Sequence, residues 1–121
     1  MEDDRPLPDR FLPLTALDLQ VLLVLGEGDL YGYAIMKAVE DASGGVLHPE
    51  IGSLYRVLSR LVDRGWVEET SGPETHEPPH RGKPRKYYGI TAMGREIAEA
   101  ELRRLRELVR DAGRLDPETV G

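Results

Sequence analysis

The chain has 121 residues, no cysteine, 40% hydrophobic residues and a formal net charge of −6. This size allows one small domain with a modest core and an appended helix, and the lack of cysteine excludes disulfides and thiolate metal sites within it. The acidic N-terminus has no signal-peptide pattern, and the longest apolar run, Val21 to Leu25, is too short to cross a bilayer. We therefore expect a soluble cytoplasmic protein with no membrane partner.

The first predicted elements are a flexible arm and two helices. Residues 1–12 combine acids and prolines without any hydrophobic period. Thr15, with Asp18 three residues later, resembles a capping box and predicts a helix over residues 16–25 that is apolar on all sides and therefore buried. The next segment, GEGDLYG, does not have the glycine spacing of a phosphate-binding loop. It predicts instead a turn in which Asp29 caps a second helix over residues 30–42.

The third predicted helix runs from Glu50 or Gly52 to Arg64, and Gly65 caps its end. Its inward stripe has helical spacing and consists of Leu54, Val57, Leu58, Leu61 and Val62. WVEET and RKYYGIT, residues 66–70 and 85–91, predict two strands joined by a long proline-rich tip. Thr91 then caps a last helix over residues 92–112. Three helices followed by a β-hairpin predict a mainly α fold with a small β-hairpin (α+β), the winged helix-turn-helix.

The segment HEPPH, residues 76–80, matches a zinc metalloprotease pattern that needs both histidines on one face of a helix. Pro78 and Pro79 lie between them, and proline in a helix interior costs about 3 kcal/mol. His48 is the one other histidine of the chain, so a ligand set is incomplete. The segment is therefore interpreted as a solvated loop. Without a metal, a cofactor, a nucleophile–base pair or a carboxylate dyad, we do not expect an enzyme.

The outward face of the third helix and the hairpin tip are candidates for nucleic-acid binding. The helix face offers hydroxyls and guanidiniums, from Ser53, Tyr55, Arg56, Ser59 and Arg60. The DNA major groove accepts an α-helix, and arginine can bond a guanine edge there in two places. In the tip RGKPRK, the cations Lys83, Arg85 and Lys86 can follow a phosphate backbone. A merely solvated, charged surface is the alternative for both features.

Three blocks of the sequence resemble the PadR-type transcriptional regulators: LVLGEGDLYGYAIMKAVEDASGG, IGSLYRVLSRLVDRGWVEE and RKYYGITAMGREIAEAE. The resemblance implies a homodimeric winged-helix repressor whose third helix enters the major groove. It implies DNA contact by Ser53, Tyr55, Arg56 and Arg60, and by the wing cations Lys83, Arg85 and Lys86. It also implies that Tyr33 and the pair Tyr87–Tyr88 lie beside the DNA face, with burial in the core as an equal alternative. Arg56 stands where the family often has proline, and the chain resembles the short form of the family.

The last helix carries a pattern typical of helix pairing. Its seam has heptad spacing and consists of Ala98, Leu102, Leu105, Val109 and Ala112, widened by Leu108. Charged residues of both signs, Glu101 among them, are expected at the rim, while Met93 and Ile97 are expected to pack on the chain's own core. The predicted organisation is an arm (1–12), a winged helix-turn-helix (13–91), a C-terminal dimerisation helix (92–113) and a tail (114–121).

Two functions remain open for this sequence. The favoured one is a repressor that binds double-stranded DNA at a palindromic operator as a homodimer. The resemblance also implies a small-molecule effector near the dimer interface, where Trp66 could line a pocket, although we expect Trp66 to anchor a strand on the core. The alternative is a winged-helix module for protein–protein contact without DNA binding, which the acidic net charge favours.

Overall fold

The computed structural model describes residues 4–72 and 86–113 of the chain. In chain order the elements are a 3-10 turn at Pro8–Phe11, α1 at Ala16–Leu25, β1 at Leu30–Tyr31, α2 at Gly32–Ala42, α3 at Ile51–Asp63, β2 at Val67–Thr70, β3 at Tyr87–Ile90 and α4 at Ala92–Ala112. This arrangement confirms the predicted winged helix-turn-helix, an α+β fold with a C-terminal helix. Within the two described ranges, no helix is both long and apolar enough to cross a membrane.

Helix α1 forms the centre of the core, as its apolar sequence predicts. Val21 and Leu22 are fully buried, and the core around them includes Ile35 and Val39 of α2 and Leu54, Leu58 and Leu61 of α3. The predicted cap is also confirmed, because the Asp18 backbone N–H donates to the Thr15 hydroxyl at 3.1 Å. The cap fixes where α1 begins. The apolar surface of α1 then packs with α2, α3 and α4 in the core.

Helix α3 ends in a glycine motif that sets the direction of the first wing strand. Gly65 has a φ of +80°, its N–H donates to the Val62 carbonyl at 2.9 Å, and the Trp66 N–H donates to the Leu61 carbonyl at 3.0 Å. The turn places Trp66 in the core, where its side chain is fully buried. The Phe11 ring packs edge-on against it with centroids 5.3 Å apart. Trp66 thus anchors the wing to the core, as expected.

The wing is a three-stranded antiparallel sheet with strand order β1-β3-β2. Its hairpin was predicted, but β1 was not: Leu30 and Tyr31 pair with Tyr88 and Tyr87, whereas the sequence had suggested that they open α2. Asp29 also does not cap that helix, whose N-cap is Tyr31. A two-residue strand has no periodic pattern of its own, so pairing with β3 decides its conformation.

The described part of the N-terminal segment is packed on the body of the protein. Within the segment expected to be a loose arm, Pro8–Phe11 form a 3-10 turn beside α4 and Trp66. Thr91 caps the start of α4 by accepting the Gly94 N–H at 3.0 Å. Its hydroxyl also donates to the Gly65 carbonyl at 2.6 Å. The hydrogen bond from Thr91 to Gly65 therefore joins the start of α4 to the end of α3.

Candidate nucleic-acid interface

The outward face of α3 is open to solvent at the positions that the sequence predicted. Leu54, Leu58 and Leu61 hold the inner face at 0% exposure. The predicted contact residues Tyr55, Arg56 and Ser59 are exposed, and Ser53 is half-buried. A terminal nitrogen of Arg56 donates to the Ser53 hydroxyl at 3.2 Å. This bond joins a guanidinium and a hydroxyl side by side on the first two turns of the helix.

Tyrosines surround the beginning of this face. The Tyr55 ring lies directly against Gly32 at the start of α2, where any Cβ would overlap it. Tyr33, in the next position, is 58% exposed. Tyr31 and Tyr87 pack edge to face with ring centroids 5.7 Å apart. The sheet therefore brings Tyr31 together with Tyr87 and Tyr88, while the Tyr55 ring lies at the start of α2, against the residue before Tyr33.

The buried tyrosines support this surface and are not part of it. Tyr87 and Tyr88 are both 5% exposed, so they follow the core alternative. Burial raises the pKa of Tyr88, and the negative charge of Glu69 and the neighbouring Tyr55 raise it further. Tyr88 therefore stays neutral at physiological pH. Tyr33 and Tyr55 are the most exposed tyrosines, and Tyr31 is half-buried.

Arg60 has a different environment from the other predicted contact residues. One of its terminal nitrogens donates to Oδ1 of Asp18, which lies in the first turn of α1. The Asp18 side chain is 6% exposed and the Arg60 side chain 43%. The sequence assigned the Arg60 guanidinium to DNA, whereas in the structure it bonds to another helix of the same chain.

Lys86 is the predicted wing cation that lies among the described residues. Lys86 lies just before β3, and its Nζ is 3.4 Å from a Glu69 carboxylate oxygen on β2. Both side chains are more than half exposed, so the pair is weak and easily exchanged for another anion. Lys83, Arg85 and the HEPPH segment lie outside the described residues.

Helix α4 divides into a covered half and an open half. Ala98 is 5% exposed because it packs in the chain's own core, so it offers little surface to a second helix. Leu102 and Leu105 are half-buried, Leu108 and Val109 are 55% and 71% exposed, and Ala112 is exposed. The predicted seam is therefore available from Leu102 onward.

Glu101 is a correction to the sequence interpretation. It was expected at the rim of the seam, but it is 1% exposed. It accepts the Leu14 backbone N–H at 2.7 Å and bonds with two nitrogens of the Arg104 guanidinium. Burial alone raises the pKa of this carboxyl group, but the hydrogen bonds from Arg104 and Leu14 and the positive charge of Arg104 outweigh burial and lower it. Glu101 is thus a buried anion that fixes α4 to the chain just before α1.

The fold and the exposed face of α3 define a class of protein, the winged helix-turn-helix proteins. The described residues contain no cluster of three or more metal-ligating side chains. The model of the transcriptional regulator PadR-like family matches residues 21–100, which include the second half of α1, all of α2 and α3, the wing strands and the first part of α4. The chain therefore belongs to the PadR-like family of transcriptional regulators, and the resemblance noted in its sequence is confirmed.

Two relatives by sequence come from bacteria. A 37.1 kDa protein of transposon Tn4556 from Streptomyces fradiae is 38% identical over 81 residues, which are 67% of this chain and 20% of that protein. A protein from Lysinibacillus sphaericus is 30% identical over 79 residues, 65% of this chain and 68% of that protein. The chain thus matches about a fifth of the length of the Streptomyces protein.

Solved structures share the fold. A transcriptional regulator from Clostridium thermocellum has a TM-score of 0.64 and 27% identity, over 84% of this chain and 89% of that one. A PadR-like regulator from Bacillus cereus has a TM-score of 0.66 at 23% identity, over 83% and 90% of the two chains. The Bacillus subtilis PadR structure in complex with operator DNA has a TM-score of 0.59 at 22% identity, over 74% of this chain and 48% of that one.

Proposed function

We propose that this protein is a repressor that binds double-stranded operator DNA as a homodimer. The observation that carries the proposal is the exposed face of α3, where Tyr55, Arg56 and Ser59 project away from a fully buried leucine face. Such a helix fits the major groove, whose base edges present acceptors to guanidiniums and hydroxyls. The structure of Bacillus subtilis PadR in complex with operator DNA supports this use of the fold.

The contacts divide into two kinds. Ser53, Tyr55, Arg56 and Ser59 are proposed to read base edges, because they lie on the outward face of α3. Tyr33 at the start of α2 and the wing cations Lys83, Arg85 and Lys86 are proposed to contact phosphates. Such contacts hold the protein in register without reading sequence. Lys86 exchanges its weak bond to Glu69 for a phosphate in this scheme.

Dimerisation is proposed to use the open half of α4. This chain leaves an apolar strip half-buried to exposed, which consists of Leu102, Leu105, Leu108, Val109 and Ala112. A heptad seam is satisfied by a second helix of the same kind. Residues 13–91 would then form the DNA-binding unit, and residues 92–113 would set the spacing of two such units. The operator would be a palindrome with half-sites about 34–36 Å apart, one turn of DNA.

An effector is proposed to bind where α1 and α4 meet. A shallow cleft of about 250 Å³ lies there, lined mainly by apolar residues that include Leu22, Leu23, Ile90, Ala98 and Leu102. Because Leu102 belongs to both the cleft and the proposed seam, a small apolar compound bound here would alter how two copies pair. Release from the operator would follow from that change.

A protein–protein module is the second candidate, and the net charge of −6 is the observation that favours it. Salt dependence separates the two functions. DNA binding through about six phosphates gives a log–log slope of the binding constant against salt of about −5. A protein–protein contact has no condensed counterions to release and has a much shallower slope.

The test is selection of binding sites from a random-sequence DNA library, followed by affinity measurements on the selected site and a scrambled one across a salt series. We expect a palindromic consensus, a steep salt slope, and loss of discrimination in Arg56→Ala. Arg103→Ala on the exposed surface of α4 removes the same charge and serves as the control, which should keep its discrimination. If no sequence is enriched and the scrambled duplex does not bind at low salt, the DNA-binding function is wrong.

A further inference from the structure

We propose that Asp18 is a positioning residue for DNA recognition, acting through Arg60 to fix the recognition helix α3 against α1. This inference rests on the proposed function. It assigns a role in site discrimination to a residue that cannot reach DNA itself, because Asp18 is 4% exposed. It also removes Arg60 from the residues that read bases.

The bond between the two residues is the main observation. The carboxylate of Asp18 is buried. The cap of α1 uses only the backbone N–H of Asp18, so capping alone does not explain this burial. Among the described residues, its one side-chain hydrogen bond is to Arg60, on the last full turn of α3. A buried carboxylate without its partner would be strongly unfavourable, so the guanidinium is held in place by the acid. Rotation of Arg60 into a groove would therefore leave the buried carboxylate of Asp18 without its partner.

The position of Asp18 explains why this bond can orient α3. Arg60 comes one turn after Arg56, which lies on the proposed reading surface. The inner face of α3 is fixed by apolar contacts, and these constrain rotation of a helix less sharply than a directed bond does. A bond from the side of the helix therefore fixes the angle at which Arg56 and Ser53 are presented to a base pair.

The first turn of α1 is itself fixed on its other side. Leu14, four residues before Asp18, donates its backbone N–H to the buried carboxylate of Glu101 in α4. In the described part of the chain, Asp18 and Glu101 are the charged residues that are buried, and each is held by an arginine. Asp18 lies in the first turn of α1, and Glu101 binds the chain just before that turn, at Leu14. This turn thus joins α4 to α3 through polar contacts, which keep their geometry better than apolar packing does.

The experiment compares wild type with Asp18→Asn, Arg60→Gln, the double variant and Arg60→Lys in binding-site selection and affinity measurements. Asp18→Asn is expected to lower the ratio of specific to scrambled binding about tenfold, the scale of one lost base contact. The loss should be spread over the base pairs of the half-site, and the salt slope should stay within about one of wild type, since phosphate contacts are untouched. The double variant should lose no more discrimination than either single variant. Arg60→Lys should keep part of the discrimination that Arg60→Gln loses.

The control is Asp63→Asn, which removes one negative charge from an exposed position of α3. It should leave the ratio of specific to scrambled binding unchanged. All measurements are made at a temperature where circular dichroism shows a folded protein. If Asp18→Asn does not fold, Arg60→Gln carries the same test, because its side chain is 43% exposed and its loss removes the same bond.

Two results would overturn the inference while leaving the proposed function intact. One is wild-type discrimination in Asp18→Asn. The other is a loss of preference at a single base pair in Arg60→Gln that adds in full to the effect of Asp18→Asn in the double variant. That pattern would mean that Arg60 reads a base directly. A wild-type protein that binds no DNA is a different outcome, and it overturns the proposed function together with this inference.

Discussion

Replacing Glu101 with glutamine should lower the free energy of unfolding by about 2–3 kcal/mol at pH 7. Breaking a buried ion pair by removing one partner costs about 3–5 kcal/mol. Here the side chain of Arg104 is 41% exposed, so water takes over part of its solvation and the cost falls to the bottom of that range or below it. Glutamine keeps one oxygen for the Leu14 N–H. Alanine leaves that donor unpaired as well and should destabilise the fold by about 1 kcal/mol more.

Urea unfolding followed by circular dichroism, at one fixed protein concentration, measures this effect. The expected loss corresponds to a fall of about 10 °C in the melting temperature for a domain of this size. Glu96→Gln is the matched control, because it removes an acid from an exposed position earlier on α4 and should change stability by less than about 0.5 kcal/mol.

The effect should depend on pH in one direction. The pKa of Glu101 in the folded protein lies below its ordinary value of about 4.5. A lowered pKa means that the unfolded chain takes up the proton more readily, so the stabilisation is complete above pH 4.5 and is lost as the pH falls through the folded pKa. The difference between wild type and Glu101→Gln should therefore shrink below pH 4.5. Equal stability of the two proteins at pH 7 would refute this account of the buried pair.

Two further predictions concern α4. Gly94→Ala should destabilise the fold by on the order of 1–3 kcal/mol in thermal unfolding, because any Cβ there overlaps the backbone carbonyl of Trp66; Gly113→Ala, at the open end of the same helix, is the control and should be neutral. Val109→Glu should shift the protein toward monomer in sedimentation velocity at micromolar concentration, since it places a charge in the proposed seam. A wild-type monomer under these conditions would contradict the seam.

The sequence by itself determined most of the helices and the order of the fold. Helix α4 was predicted over residues 92–112 and is observed there, because Thr91 caps its start and the helical spacing continues to its end. Helix α3 likewise follows from its apolar stripe and from Gly65. The outward position of Tyr55, Arg56 and Ser59 could also be predicted, because in an amphipathic helix the buried face fixes the exposed one.

Only the tertiary structure decided the partners of the polar groups that leave the surface. Asp18 and Arg60 are 42 residues apart, and Leu14 and Glu101 are 87 residues apart. Each of these acids had a sound local interpretation, as a helix cap or as a charge at the rim of a seam. The short strand β1 is a similar case, because pairing with β3 overrode the helical pattern around Leu30. Local sequence reports the hydrogen bonds and burial within a few residues, whereas the partner of a buried charge depends on which distant elements pack beside it.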